Sequence, residues 1–180
     1  MGIKNAARSR WVLALLDPRP GEHVLEVGFG SGADIERLLA RTAPDGRVSG
    51  IDASDAMLRM ATRRNQQAVD LGRARLLQGT VEDASPREAT YDAVLSVNCA
   101  QFWPDLHREI RTLGRALRPG GRAVVAVQPR HRGATRSDSE DWLASLGAAG
   151  DAAGLDVVRR ELGPERVPTA AVVLRRRSPT

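Results

Sequence analysis

The chain has 180 residues and a formal net charge of +5, with 42% apolar and 27% charged residues, which is room for one sizeable core in an ordinary globular protein. The longest apolar stretch near the N-terminus, Trp11–Leu16, ends at Asp17 and is too short for a signal-peptide core or a membrane span. Cys99 is the only cysteine, which excludes an internal disulfide framework and points to a reducing, cytoplasmic setting. Lys4 is the only lysine, so 26 of the 27 basic residues are arginine, and these are scattered rather than interleaved with aromatics. That pattern reads as a solvated surface and argues against nucleic acid as the partner.

In chain order, residues 5–16 read as a helix that stops before Pro18 and Pro20. A short buried strand, His23–Val27, then runs into a loop with glycine at every second position: Gly28, Gly30 and Gly32. ADIERLLART follows with helical spacing of Ile35, Leu38 and Leu39. After the Ala43–Gly46 turn come a second strand, Arg47–Asp52, and a helix capped by Ser54 or Asp55 that extends to about Val69. A third strand, Ala74–Gln78, leads into a polar loop, Gly79–Thr90, and a fourth strand, Tyr91–Val97. Pro104 opens a helix with Leu106, Ile110, Leu113 and Leu117 on one face, ended by Pro119-Gly120-Gly121. A fifth strand, Arg122–Val127, precedes a basic loop with His131, and Ser137 with Glu140 forms a capping box for the next helix. Leu155–Leu162 and Thr169–Arg176 are joined too closely for a crossover helix and should pair antiparallel, with the Arg175–Arg177 triplet as the exposed end of the last strand. The alternation predicts a single α/β domain over residues 1–180: a doubly wound, mostly parallel seven-stranded sheet with helices on both faces and a C-terminal antiparallel hairpin.

A strand, a glycine loop and a helix in that order bring bare backbone close to a ligand at a helix N-terminus. GFGSGA can be forced onto a dinucleotide fingerprint, with Asp52 20 residues after Gly32. Glu26 separates the readings. It stands two positions before Gly28, where a pyrophosphate at about 4 Å would be repelled by roughly 4 kcal/mol at an effective dielectric near 20. A ligand with an ammonium or sulfonium would be attracted by a similar amount. S-adenosylmethionine carries both charges, a ribose diol for Asp52, and no phosphate.

VLEVGFGSG, GIDASDAMLRMA, YDAVLSVNCAQFWPD and LGRALRPGGRAVV resemble successive motifs of the class I S-adenosylmethionine-dependent methyltransferases, in order, from Val24 to Val127. The resemblance is to the widespread small-molecule group, and none of these motifs specifies the methyl acceptor. It implies that Glu26 holds the methionine ammonium, that Gly28 and Gly30 let backbone pass beneath the methionine portion, and that Asp52 accepts from both ribose hydroxyls. It further places Ala53 and Met57 against the adenine, Val81 and Glu82 at the adenine edge, and Asn98 by the methionine chain and the reaction centre. Many relatives carry Asp where Thr80 stands; Glu82 is the replacement that the sequence offers.

Each role has a plainer counterpart. Met57 at helical spacing also suits the core, Glu26 a local bond to the loop amides, and Phe102 and Trp103 ordinary packing. His131, after the fifth strand, is the candidate proton acceptor from an acceptor hydroxyl, and Asn98 the other candidate at the reaction centre. Cys99 reads as a buried small residue rather than a nucleophile, because Asn98 precedes it where a nucleophilic methyltransferase has proline. Asn98 and Gln128 stand where a metal-dependent site would want carboxylates, so no metal is expected.

The function expected is methyl transfer from S-adenosylmethionine to an oxygen or nitrogen of a small molecule. The alternatives are a methyltransferase-like binding or scaffold module without turnover, and an RNA or DNA methyltransferase. Little sequence is available for a substrate lid, which points to completion of the pocket by a partner subunit or a homodimer.

Overall fold

The computed structural model describes residues 2–84 and 89–178; residues 85–88 of the expected Gly79–Thr90 loop lie outside them. Five strands run parallel: β1 (His23–Val27), β2 (Arg47–Asp52), β3 (Ala74–Gln78), β4 (Tyr91–Val97) and β5 (Leu117–Val127). β6 (Asp156–Leu162) and β7 (Ala170–Arg175) complete a seven-stranded sheet in the order β3-β2-β1-β4-β5-β7-β6, with β7 antiparallel to both of its neighbours. The strand order reverses direction between β1 and β4, and their carboxyl ends frame the crevice where doubly wound sheets bind ligands.

Helices cover both faces, so the central strands are apolar on both sides. In β5, Ala123, Val125 and Val127 face a core built with α5 (Val81–Ala84), α6 (Leu106–Ala116) and α7 (Arg136–Ala152). Val124 and Ala126 face the opposite core, built with α1 (Gly2–Leu16), α2 (Ala33–Thr42) and α3 (Asp55–Arg64). The same period-two alternation in β1 sends Val24 to the α1–α2 face and Leu25 and Val27 to the other, so Glu26 projects toward α1 and α2.

Five local readings change. The helix expected to reach Val69 breaks at Asn65, and a short α4 (Gln66–Asp70) follows. Asn65 is buried, and its side-chain amide donates to the carbonyls of Ala61 and Gly32. That polar partnership draws the backbone out of the helix and ties α3 to the end of the glycine loop. Leu117 is not on the helix face; it is already extended and opens β5, because Pro119 forbids another helical turn. The polar loop after β3 contains a turn of helix, α5. The α7 capping box is Thr135 with Asp138, not Ser137 with Glu140: the same spacing, two residues earlier, where Thr135 is extended. Of the terminal arginines, Arg176 is held by the carbonyls of Arg115 and Leu117 at the end of α6.

Candidate functional site

The glycine loop leaves β1 with three left-handed residues, at φ +77° for Gly28, +52° for Gly30 and +75° for Gly32. The Gly28 N–H donates to the Ile51 carbonyl at 2.7 Å, carrying the loop across the end of β2. Asp52 then fixes it from below: Oδ2 accepts from the Gly30 N–H at 2.8 Å, and Oδ1 accepts from the Ser54 N–H at 2.9 Å at the start of α3. A Cβ on Gly30 would meet nothing within 4 Å, so this part of the loop has an open face for a ligand. A Cβ on Gly28 would lie 2.7 Å from both Cβ and Sγ of Cys99. Gly28→Ala is therefore expected to cost about 2–4 kcal/mol, combining overpacking with a left-handed backbone penalty, as read from denaturant unfolding. Gly30→Ala should cost only about 1–2 kcal/mol, the backbone penalty alone.

A cavity of about 550 Å³ opens at the carboxyl ends of the strands. Gly28 and Gly30 form one wall, Asp52 and Ala53 the next, and Thr80 and Val81 the wall after β3. Asn98, Cys99, Phe102 and Trp103, from the connection after β4, close it together with Glu109 of α6. Phe102 is 76% exposed and stands at the rim. A second compartment of about 430 Å³ shares Gly28, Gly30, Val97 and Asn98 with the first. It is bordered by Arg8 and Ser9 of α1, Glu26, Asp34 and Arg37 of α2, and Arg64 of α3.

Glu26 is only 3% exposed and its Oε2 is buried without a hydrogen-bond partner. Burial, followed by the neighbouring charges of Asp34 and Asp52, holds its pKa well above the ordinary carboxylate range; Arg37 opposes this. Asn98 sits in the left-handed region at φ +54°, its N–H bonded to the Ala126 carbonyl and its Oδ1 accepting from the Gln128 N–H at 2.8 Å. It thus clamps the ends of β4 and β5 where the two compartments meet. Burial pushes the Cys99 thiol up, against the opposing influence of Trp103 and Ser96, so the sulfur stays protonated at neutral pH.

The residues singled out from sequence therefore divide. Gly28, Gly30, Asp52, Ala53, Val81 and Asn98 line the main cavity, and Glu26 lines the adjoining compartment. Three line neither. Met57 packs on the apolar face that α3 turns toward α2. Glu82 is exposed and paired with Arg108 at 3.4 Å, because α5 rotates it away from Val81. His131 is exposed beside Asp138 at 3.4 Å, held by the α7 cap rather than at the crevice. Thr80 lines the cavity, but its hydroxyl and N–H both donate to Asp83 Oδ2, at 2.9 and 2.8 Å.

Sequence reasoning missed Glu109. It is 3% exposed in the first turn of α6, with Oε1 accepting from Arg108 at 3.1 Å and Oε2 buried without a partner. The signal was available: Glu109 lies three residues after Leu106 and four before Leu113, so an acidic residue occupies the apolar stripe. Among the described residues no group of three His, Cys, Asp or Glu could hold a metal ion, and no helix is long and apolar enough to cross a membrane.

Residues 24–121 match the methyltransferase domain family. The protein described as uncharacterized methyltransferase YdaC, from Bacillus subtilis strain 168, is 36% identical over 169 residues, 92% of this chain and 90% of that one. Nocamycin O-methyltransferase from Saccharothrix syringae is 36% identical over 114 residues, 63% of this chain, which spans only 40% of that relative's length. A solved structure of a SAM dependent methyltransferase from Aquifex aeolicus superposes with a TM-score of 0.75 at 18% identity, covering 93% of this chain and 88% of that one, a likeness of fold. Matched by the family over more than half its length and by a relative over nine-tenths of it, the chain belongs to the class I S-adenosylmethionine-dependent methyltransferases.

Proposed function

We propose that this chain transfers the methyl group of S-adenosylmethionine to an oxygen or nitrogen of a small molecule. The observation that carries the reading is the joining of two compartments at Gly28, Gly30 and Asn98: one suited to the cofactor's nucleoside, the other to its amino-acid end and an acceptor. The charges fit. Asp52 retains acceptor capacity on both oxygens for a ribose diol, while Glu26 offers a buried, unpartnered oxygen to an ammonium. Arg8 and Arg64, on the same walls as Glu26, supply positive charge for a carboxylate. A pyrophosphate would instead face the Asp52 carboxylate across the open side of the loop.

When bound, S-adenosylmethionine supplies a methyl group already activated by its sulfonium, so the protein's task is alignment and exclusion of water. Glu26 holds the ammonium and Asp52 the ribose hydroxyls. Gly30 lets the backbone pass close beneath the ligand, and Ala53 with the Val81 backbone borders the adenine. Asn98, rigid between β4 and β5, borders the methionine chain and the transferring methyl, and Cys99 and Trp103 keep that wall dry. Alignment of this kind is worth roughly 7–11 kcal/mol in well-oriented systems, so no obligatory general base is required; this suits the position of His131 away from the cavity. The acceptor class draws support from the size of the second compartment, which matches small-molecule sites, and from the similarity to a relative described as an O-methyltransferase. A single cysteine, Cys99, suits a reducing, cytoplasmic setting.

Incubation with S-adenosylmethionine and a panel of small hydroxyl and amine compounds should release S-adenosylhomocysteine above the acceptor-free rate for at least one of them. Methyl label entering only RNA, DNA or protein would overturn the small-molecule reading. Cofactor binding without turnover across the panel would favour a binding module.

A further inference from the structure

We propose that Glu109 of α6, rather than Thr80 or Glu82 after β3, recognises the exocyclic 6-amino group of the cofactor's adenine; this rests on S-adenosylmethionine occupying the main cavity. Three observations converge on it. The first is the state of the carboxylate: Arg108 occupies Oε1, while Oε2 is buried in the cavity wall with no partner. A buried carboxylate oxygen left unmatched is costly, and a ligand N–H is what would relieve that cost.

The second is position. Asp52, the ribose ligand of this reading, Cys99 and Glu109 all line the same cavity. Arg108 bridges Glu109 to Glu82 at 3.4 Å, which sets Glu109 beside α5, whose first residue, Val81, borders the same cavity. Glu109 thus lines the main cavity on its α5 side with Val81, while Glu26 lines only the adjoining compartment, so a nucleoside whose ribose is on Asp52 shares its cavity with Glu109.

The third is elimination within the loop after β3. Among the described residues of that loop, the Thr80 N–H and hydroxyl proton are both donated to Asp83, which leaves its hydroxyl only neutral lone pairs, and Glu82 is turned outward to Arg108. Neither puts a carboxylate into the cavity. The carboxylate reaches the base from the following helix instead.

The test is calorimetric binding of two ligands to the full chain: S-adenosylhomocysteine and its 6-deamino analogue, which carries hydrogen in place of the amino group. Wild-type protein should bind the analogue about tenfold to a hundredfold more weakly, the range for a hydrogen bond to a charged group. Glu109→Leu should bind the two ligands within about twofold of each other, and Glu109→Gln should keep a reduced preference. Comparing two ligands on one protein keeps the ratio independent of each variant's stability. Equal binding of both ligands by wild-type protein, or wild-type discrimination persisting in Glu109→Leu, would overturn the assignment. Wild-type protein binding neither ligand would overturn the cofactor reading on which it rests.

Discussion

Replacing Asp52 with alanine is expected to weaken S-adenosylhomocysteine binding about a hundredfold, as measured by calorimetry. Each Asp52 oxygen already accepts one backbone N–H, from Gly30 and from Ser54, and each has a second lone pair to offer a ribose hydroxyl. Two hydrogen bonds to a charged acceptor contribute about 1.5–3 kcal/mol apiece, so their joint loss reaches two decades. The same truncation removes the tie between the glycine loop and the start of α3, leaving the Gly30 amide without its partner and the loop less well ordered. Asp52→Asn keeps one side-chain carbonyl and should lose about tenfold. Affinity unchanged in the alanine variant would show that the ribose binds elsewhere.

Glu26→Gln should separate stability from binding. The folded chain holds the Glu26 proton to higher pH than the unfolded chain, because burial and the charges of Asp34 and Asp52 disfavour the carboxylate. Between the ordinary carboxylate pKa and this raised one, the folded state binds more protons than the unfolded state, so stability falls as pH rises through that window and stays lower above it. Glutamine removes that loss. At neutral pH the variant should melt about 2–4 °C above wild type, the shift that about 1 kcal/mol produces in a chain of this size. Below the ordinary carboxylate range both states carry the proton, and the advantage should vanish. Binding should move the other way: losing a buried partner for the methionine ammonium should weaken S-adenosylhomocysteine binding by at least about thirtyfold. Wild-type affinity should also rise with pH across the window, because the ammonium favours the charged carboxylate and binding expels its proton. The glutamine variant should lack that pH dependence. A variant that melts at or below wild type, or binds as well as wild type, would contradict this account of Glu26.

Much of the fold was legible because its signals are local. β1 to β4 fall on the strands read from sequence, since short segments carrying Val, Leu and Ile between Gly-, Pro- and Asp-containing turns have few other uses. The short connection Gly163–Pro168 dictated the antiparallel end of the sheet. What escaped detection depends on tertiary partners. Asn65 breaks a helix only because the Gly32 carbonyl lies within reach of its side chain, and residues 33 positions apart give no periodic trace of that. Thr135 prevails over Ser137 as the α7 cap because Asp138, rather than Glu140, reaches back to it.

The candidate site was legible where backbone geometry sets it: the glycine loop, Asp52 at a strand end, and Asn98 just past β4. It was illegible where a helix rotates one side chain out and another in. Glu82 looked like the adenine-side acid from its place after β3, yet one turn of α5 sends it to Arg108. Glu109 lines the cavity, as Asp52 does, from a position 27 residues beyond Glu82.

The central claim is that the cavity between the glycine loop, Asp52 and α6 holds S-adenosylmethionine. Titrating the intact chain with S-adenosylhomocysteine in a calorimeter at neutral pH tests it most directly. One site per chain with a Kd below about 1 mM is the predicted result. No heat of binding up to millimolar ligand, or saturable binding of a nicotinamide dinucleotide in its place, would contradict it.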